Sequence, residues 1–280
     1  ADPDPSCGPP PAPDPLPPLN PAGVRGLRIE IALLLAVSVG YSAASSTVSF
    51  IQTQVRYGSF RHTTAALNIS AAPDRHWFDL AYQLLGYARG LGFAGLALYL
   101  LARTPPGAAA IAAAGARRGF GIGADFTRMR RDCQDAAAMA AIVGLPGLGL
   151  YFAARGLGMN ATIATSGLPD VWWRYPALVI SAFENGALEE IIWIGFLLPR
   201  FRQIGWSMPR AILVSAAIRG MYHAYQGYGG LVGNMAMGVI YSLYYLRRRR
   251  VMPLVIAHGI QDTVVFIGYA ALSPHWAFIR

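Results

Sequence analysis

Seven long apolar runs constrain this chain more than anything else in it: residues 31–50, 81–102, 136–154, 176–199, 211–225, 231–246 and 251–272 are mostly free of charge. A helix needs about 20 apolar residues to cross roughly 30 Å of hydrocarbon. The segments 29–51, 77–102, 135–155, 175–198, 210–227, 230–246 and 251–272 qualify, so the expected fold is all-α, a polytopic transmembrane helical bundle of seven spans. The apolar stretch Gly107 to Ala116 is about half that length and reads as interfacial or re-entrant, with an eighth span as the alternative. Composition excludes a water-soluble domain: 54% of the 280 residues are hydrophobic and 13% charged, where soluble domains carry about a quarter charged residues.

Net charge is +9, and all 23 basic residues are arginine. In a soluble chain that balance would suggest nucleic acid, but these arginines cluster between the apolar runs, which makes them topology signals and the lipid bilayer the expected partner. Arg25 and Arg28, the loop arginines from Arg103 to Arg131, then Arg200, Arg202 and Arg210, and the run Arg247–Arg250 outnumber those of the opposite loops. The expectation is a multi-pass cell-membrane protein with a cytosolic N-terminus and, with seven spans, an outside C-terminus. Arginine without lysine, with abundant Ala and Gly, points to a GC-rich bacterial source.

The chain divides into a disordered, Pro-rich cytosolic tail (1–28), N-terminal spans with an Arg-rich cytosolic loop (29–134), a core at 135–272 and a short C-terminal tail (273–280). No signal peptide is expected before the first span. Trp77, Phe78, Trp172, Trp173, Tyr175, Trp206 and Trp276 fall near span ends, as interfacial aromatic belts do. Gly86/Gly90 and Gly229/Gly233 are GxxxG pairs, which let helices approach closely within a bundle. Cys7 and Cys133 are expected as unpaired thiols.

Ionisable residues within spans are costly and mark functional sites. The fourth span holds Glu184, Glu189 and Glu190, three of the four glutamates in the chain; the fifth holds Arg219 and His223; the seventh holds His258 and Asp262. At about 1.5 Å per residue from the flanking arginines, Glu189 and Glu190 lie roughly 15 Å deep, His223 roughly 19 Å, and His258 and Asp262 roughly 12 and 18 Å. Residues four apart share a face, so Arg219 lies under His223 and His258 under Asp262. A carboxylate with a histidine can activate water, and a second histidine can donate to an oxyanion. Arg89, on the second span, is expected to pair with Glu184 as a structural couple.

These motifs resemble the CPBP family of intramembrane proteases, the CAAX prenyl protease and bacteriocin-processing (ABI) enzymes, over roughly residues 135–272. The resemblance rests on Glu189-Glu190 followed by Ile-Ile-Trp-Ile-Gly-Phe-Leu, on Arg219-x-x-x-His223 and on His258-x-x-x-Asp262. It implies a peptide hydrolase whose substrate is a membrane-embedded or lipidated peptide, with Glu189 as general base, His223 as its partner on the water, His258 and Asp262 at the oxyanion, and Glu190 held by an arginine. An ionised Asp262 cannot donate to an oxyanion, so it either fixes the tautomer of His258 or stays protonated. The family pattern has arginine where this chain has Ile194 and phenylalanine where it has Arg219, and Arg219 is expected to replace the missing arginine on Glu190. Members are often described as metalloproteases; no metal is expected here, and zinc, if bound, would use Glu189, His223 and His258. The competing readings are a non-catalytic immunity or scaffold protein that keeps the fold, and a proton-coupled transporter, for which the inverted repeats are missing.

Overall fold

The computed structural model describes residues 21–103, 121–165 and 167–272. Expectations for the first 20 residues, for Gly107 to Ala116, for Trp276 and for the C-terminal tail lie outside these residues, as does Cys7. In chain order the elements are α1 (Pro21–Val37), α2 (Val39–Tyr57), β1 (Thr64–Ala66), α3 (His76–Arg103), α4 (Met129–Gly156), β2 (Thr162–Ala164) and α5 (Arg174–Glu190). A π-helical segment (Ile191–Phe196) carries α5 into α6 (Leu197–Gln203), followed by α7 (Met208–Tyr222), a 3-10 turn (Ala224–Gln226), α8 (Tyr228–Arg248) and α9 (Met252–Leu272). The two short strands pair in parallel and tie the α2–α3 connection to the segment after α4.

The result is an all-α membrane bundle. Among the described residues three helices, α3, α4 and α9, are long and apolar enough to cross a bilayer, and α1 with α2 forms a fourth candidate bent by 56°. The other described helices, on the segments expected as the fourth, fifth and sixth spans, fall short in length or apolar character, and in α5 glutamates interrupt the apolar run. Lipid-facing character is plain on α4, where Ile142, Leu145 and Leu148 are exposed, while charged groups occupy the interior. That inversion of a soluble protein is the one a hydrocarbon solvent selects.

Several boundaries differ from those expected. Residues 21–28, assigned to the tail, are the first two turns of α1, and Pro21 suits that position because its fixed φ and missing N–H cost nothing at a helix start. The first span is broken at Ser38, whose hydroxyl donates to the Leu34 carbonyl. A Cβ on Gly40 would lie 2.6 Å from the Leu35 carbonyl oxygen, so only glycine accommodates the bend. The fifth span ends at Tyr222, earlier than expected, and Gly227, at φ 109°, turns the chain into α8. Asn160 Oδ1 accepts from the amides of Gly229 and Gly230 at 2.9 and 3.3 Å, capping that helix. Trp77 and Trp172 are exposed and meet edge to face, but Trp173 is buried under α5 instead of joining the belt.

The core forms around the π segment, with Ile192, Trp193, Ile194, Phe196 and Leu197 fully enclosed. Helix α9 packs on α5 over its whole length and also on α4, and α7 packs on α8. Missing side chains allow both approaches: a Cβ on Gly186 would stand 2.8 Å from the Val255 carbonyl oxygen, and one on Gly220 2.7 Å from that of Leu231. Arg200 is itself buried and ties three elements together, bonding Glu30 Oε1 of α1 at 2.7 Å, the Leu100 carbonyl of α3 at 2.6 Å and Gln203. Arg250 grips Asp132 and Asp125 at 2.6 and 3.0 Å and anchors the 121–128 loop.

Candidate active site

Helix α5 packs closely on α9, and α7, held against α8, α2 and the π segment that follows α5, brings Arg219 and His223 within reach, so the ionisable residues of three helices form one cluster. Glu189 and Glu190 end α5 with no side-chain exposure, and Arg219 is equally enclosed. The Arg219 guanidinium takes Glu190 in a fork, Nη2 to Oε1 at 2.8 Å and Nη1 to Oε2 at 3.1 Å, and its Nη2 lies 3.4 Å from Glu189 Oε2. Such bidentate, charge-assisted pairs are strong and directional. Its face rests over the Tyr241 ring, 5.7 Å from the centroid.

His258 Nδ1 lies 2.8 Å from Glu190 Oε1, and its Nε2 3.6 Å from Asp262 Oδ2. A carboxylate only accepts, so the imidazole donates from Nδ1 to Glu190. His223 Nε2 stands 3.5 Å from both oxygens of Glu189. Gln226 Nε2, 3.4 Å from His223 Nδ1, donates to it, which leaves the ring proton on Nε2 facing Glu189. Glu189 Oε1 is buried and accepts no hydrogen bond. The structure thus brings together Glu189, Glu190, Arg219, His223, His258 and Asp262. Glu184 and Arg89 stand apart from the cluster, lining a shared cavity with no ion pair at contact distance between them.

His223 sits one residue beyond α7, at φ −101° and ψ 5°, instead of within a continuous helix. The break frees its ring from the face of Arg219 and aims it across at α5. Three residues that pattern reading did not single out complete the site. Asn185 Nδ2 donates to Asp262 Oδ2 at 2.8 Å, Gln226 orients His223, and Tyr222 packs edge-on against the His223 ring with 4.8 Å between centroids. Asn185 had a signal, since it lies four residues before Glu189 on the same helical face. Gln226 had none, because its approach depends on the turn after α7.

The oxygen and nitrogen donors of Glu189, Glu190 and His258 lie within 4.8 Å of one another, a grouping that can hold a metal ion. Arg219 Nη2 already stands among them, 2.8 Å from Glu190 Oε1, 3.4 Å from Glu189 Oε2 and 3.4 Å from His258 Nδ1. A fixed cation there repels a second one, so the donor set does not fit zinc. The trio also replaces His223 of the expected zinc set by Glu190.

Residues 171–264 match the family of type II CAAX prenyl endopeptidases, Rce1-like. No curated protein and no solved structure matches the chain. The matched segment covers about a third of the sequence and contains all three motifs, from Glu189-Glu190 to Asp262. That segment, which holds the whole polar cluster, is similar to the Rce1-like type II CAAX prenyl endopeptidases.

Proposed function

We propose that the protein is an intramembrane endopeptidase of CAAX-protease type, which hydrolyses a peptide bond of a membrane-associated or lipidated substrate with a water activated by Glu189 and His223. The observation that carries this reading is the buried Glu189 Oε1, an acceptor without a hydrogen bond, beside the Nε2–H of His223. A water between them loses its proton to Glu189 as its oxygen attacks the carbonyl carbon. The carbonyl π electrons move to oxygen, and the oxyanion is stabilised by nearby N–H donors. Glu189 then returns the proton to the departing amine as the C–N bond breaks.

Asn185 resolves the difficulty posed by an acidic residue at 262. Its amide occupies Asp262 Oδ2, so Asp262 serves as an anchor for Asn185 and His258, and the neutral donor arrives from α5 instead of α9. Arg219 neutralises Glu190 and steadies Glu189 without touching substrate, which makes it a positioning residue. No step passes through a metal. The cytosolic N-terminus belongs to the same reading, since the arginine distribution favours that orientation.

The test is proteolysis of a membrane-peptide pool by the detergent-solubilised protein. Glu189→Gln is expected to lower turnover about 10²- to 10⁴-fold, as loss of a general base does, while the protein stays folded because Glu190 keeps Arg219. A chelator is expected to leave wild-type turnover unchanged. Turnover by Glu189→Gln equal to wild type would sink the glutamate mechanism, and a folded wild type that cleaves nothing in the pool would favour a non-catalytic membrane partner.

A further inference from the structure

Helix α4 is 28 residues long, about 42 Å at about 1.5 Å per residue. That is the thickness of a bilayer with its headgroup layers, about 40–45 Å, so the first turn of α4, Met129 to Asp132, falls at the level of the lipid phosphates. Two arginine runs far apart in sequence meet there. Tyr244 on α8 donates to Asp135 Oδ2 at 2.7 Å, Arg248 lies 3.9 Å from the same oxygen, and Arg250 bonds Asp132 at 2.6 Å. Residues 128–131 and 247–250 therefore share one end of the bundle, the end that the arginine distribution assigns to the cytosol.

The acids at that end are already taken. Arg250 holds Asp125 and Asp132, and Asp135 is occupied by Tyr244 with Arg248 beside it. Arg128, Arg130, Arg131, Arg247 and Arg249 are exposed and meet no carboxylate at contact distance among the described residues. Five cations gathered without a counter-charge set up a positive potential that draws anions. An open trough of about 710 Å³ lies among them, lined by residues 127–131, Gln134 and Asp135.

We propose that this trough binds the phosphate headgroup of an anionic phospholipid, which links the ends of α4 and α8 at the membrane surface. Guanidinium groups match phosphate oxygens with paired N–H donors, and basic clusters at the ends of spans attract anionic headgroups. Three observations select a lipid over a dissolved anion. The trough lies at the depth of the lipid phosphates. Phe126, two residues before Arg128, is 76% exposed, as suits an aromatic ring set among headgroups and upper acyl chains. Further along α4, Ile142, Leu145 and Leu148 are exposed and apolar, so the helix that offers cations to the phosphate also offers a surface to the chains below it. The bonds from Arg250 to Asp125 fix the loop that carries Phe126 and Arg128, so the site is built before the lipid arrives. The proposal is independent of the protease reading.

The experiment uses the full-length protein with Cys7→Ser, so that Cys133, exposed one turn into α4, carries an environment-sensitive fluorophore beside the trough. In neutral detergent micelles, added phosphatidylglycerol is expected to shift the emission to saturation, and phosphatidylcholine at the same mole fraction to leave it unchanged. Native mass spectrometry of the unlabelled protein, counting retained lipids, is expected to show the same preference. Arg128→Gln, Arg130→Gln and Arg131→Gln together are expected to raise the half-saturating mole fraction roughly 100-fold, at about 5-fold per arginine near the surface, with an unchanged melting temperature in phosphatidylcholine micelles. Arg56→Gln, Arg61→Gln and Arg75→Gln together, around the α2–α3 connection at the opposite end, are expected to change it by less than about 2-fold. Equal responses to the two lipids in wild type overturn the proposal, and that comparison needs no variant to fold. Equal losses from the two triple variants, or no loss from the first, overturn it as well. A matching saturable shift with inorganic phosphate at the same concentration replaces the lipid by a dissolved anion and overturns it too.

Discussion

Replacing Arg219 by methionine tests whether one guanidinium holds the buried carboxylates of Glu189 and Glu190 in place. Arg219 makes two bonds to Glu190 and one approach to Glu189, all between groups without solvent exposure. Methionine fills much of the same volume over Tyr241 but leaves two enclosed carboxylates without their cation. Breaking a buried pair in this way costs about 3–5 kcal/mol, a large share of the roughly 5–15 kcal/mol that holds a typical domain together. Unfolding in mixed micelles, followed by circular dichroism, is the assay. Arg219→Met is expected to lose that amount, and adding Glu190→Gln to recover at least about 1.5 kcal/mol of it, because the amide no longer carries an unpaired charge. Arg219→Lys keeps the charge but not the fork, and is expected to lose about 1–3 kcal/mol. A loss under about 1 kcal/mol for Arg219→Met, or strict additivity with Glu190→Gln, would refute the claim that this guanidinium compensates these carboxylates.

Gly186→Ala places a Cβ 2.8 Å from the Val255 carbonyl oxygen, so it is expected to push α5 from α9, destabilise by about 1–3 kcal/mol as overpacking does, and lower turnover by separating His258 from Glu190; unchanged stability would show that the contact is slack. Burial pushes the Asp125 carboxyl up, but hydrogen bonds from Arg250 and Thr127 outweigh it and hold the group at about 2, against 3.8 ordinarily. A depressed carboxyl stabilises the fold above its unfolded pKa, so thermal stability is expected to fall as pH drops from about 4 to about 2, and Asp125→Asn to remove that part of the profile. Restoring the family pattern with Ile194→Arg and Arg219→Phe together is expected not to restore stability or activity to the level of wild type; full recovery in the same micelle and turnover assays would contradict the packing described for Ile194.

The polar cluster was legible because glutamate and histidine stand out in apolar runs, and because counting depth from flanking arginines relates three helices without any knowledge of their packing. Glu190 with Arg219 and Glu189 with His223 lie at contact distances that follow from that count. What escaped has a common cause in tertiary geometry. The Ser38 bend rests on one hydroxyl and one glycine in a run whose composition reads as a straight span. The role of Gln226 depends on the chain turning after Tyr222, and Trp173 reads as interfacial only until α5 covers it. Arg250 looked like one more topology signal in a run of four arginines, yet its burial against Asp125 and Asp132 makes it an anchor.

The exchange of Ile194 and Arg219 matches what each position packs against. In an α-helix a residue four after Glu190 shares its face, so an arginine at 194 would reach back to that carboxylate. Here the segment Ile191–Phe196 makes the wider i→i+5 turn, with the Leu197 amide bonded to the Ile192 carbonyl, and carries position 194 within the apolar core. Ile194 is 1% exposed within the apolar core, where a guanidinium would meet no acceptor. The cation must then come from another helix, and α7 supplies it one turn before His223. Gly238 on α8 makes the room, since a Cβ there would already touch the Arg219 side chain at Cδ. An arginine at 219 satisfies Glu190, and the same helix delivers His223 to Glu189, so one element sets both carboxylates. The departure from the family pattern is therefore a relocated counter-ion, and its new position couples the placement of Glu190 to that of His223 beside Glu189.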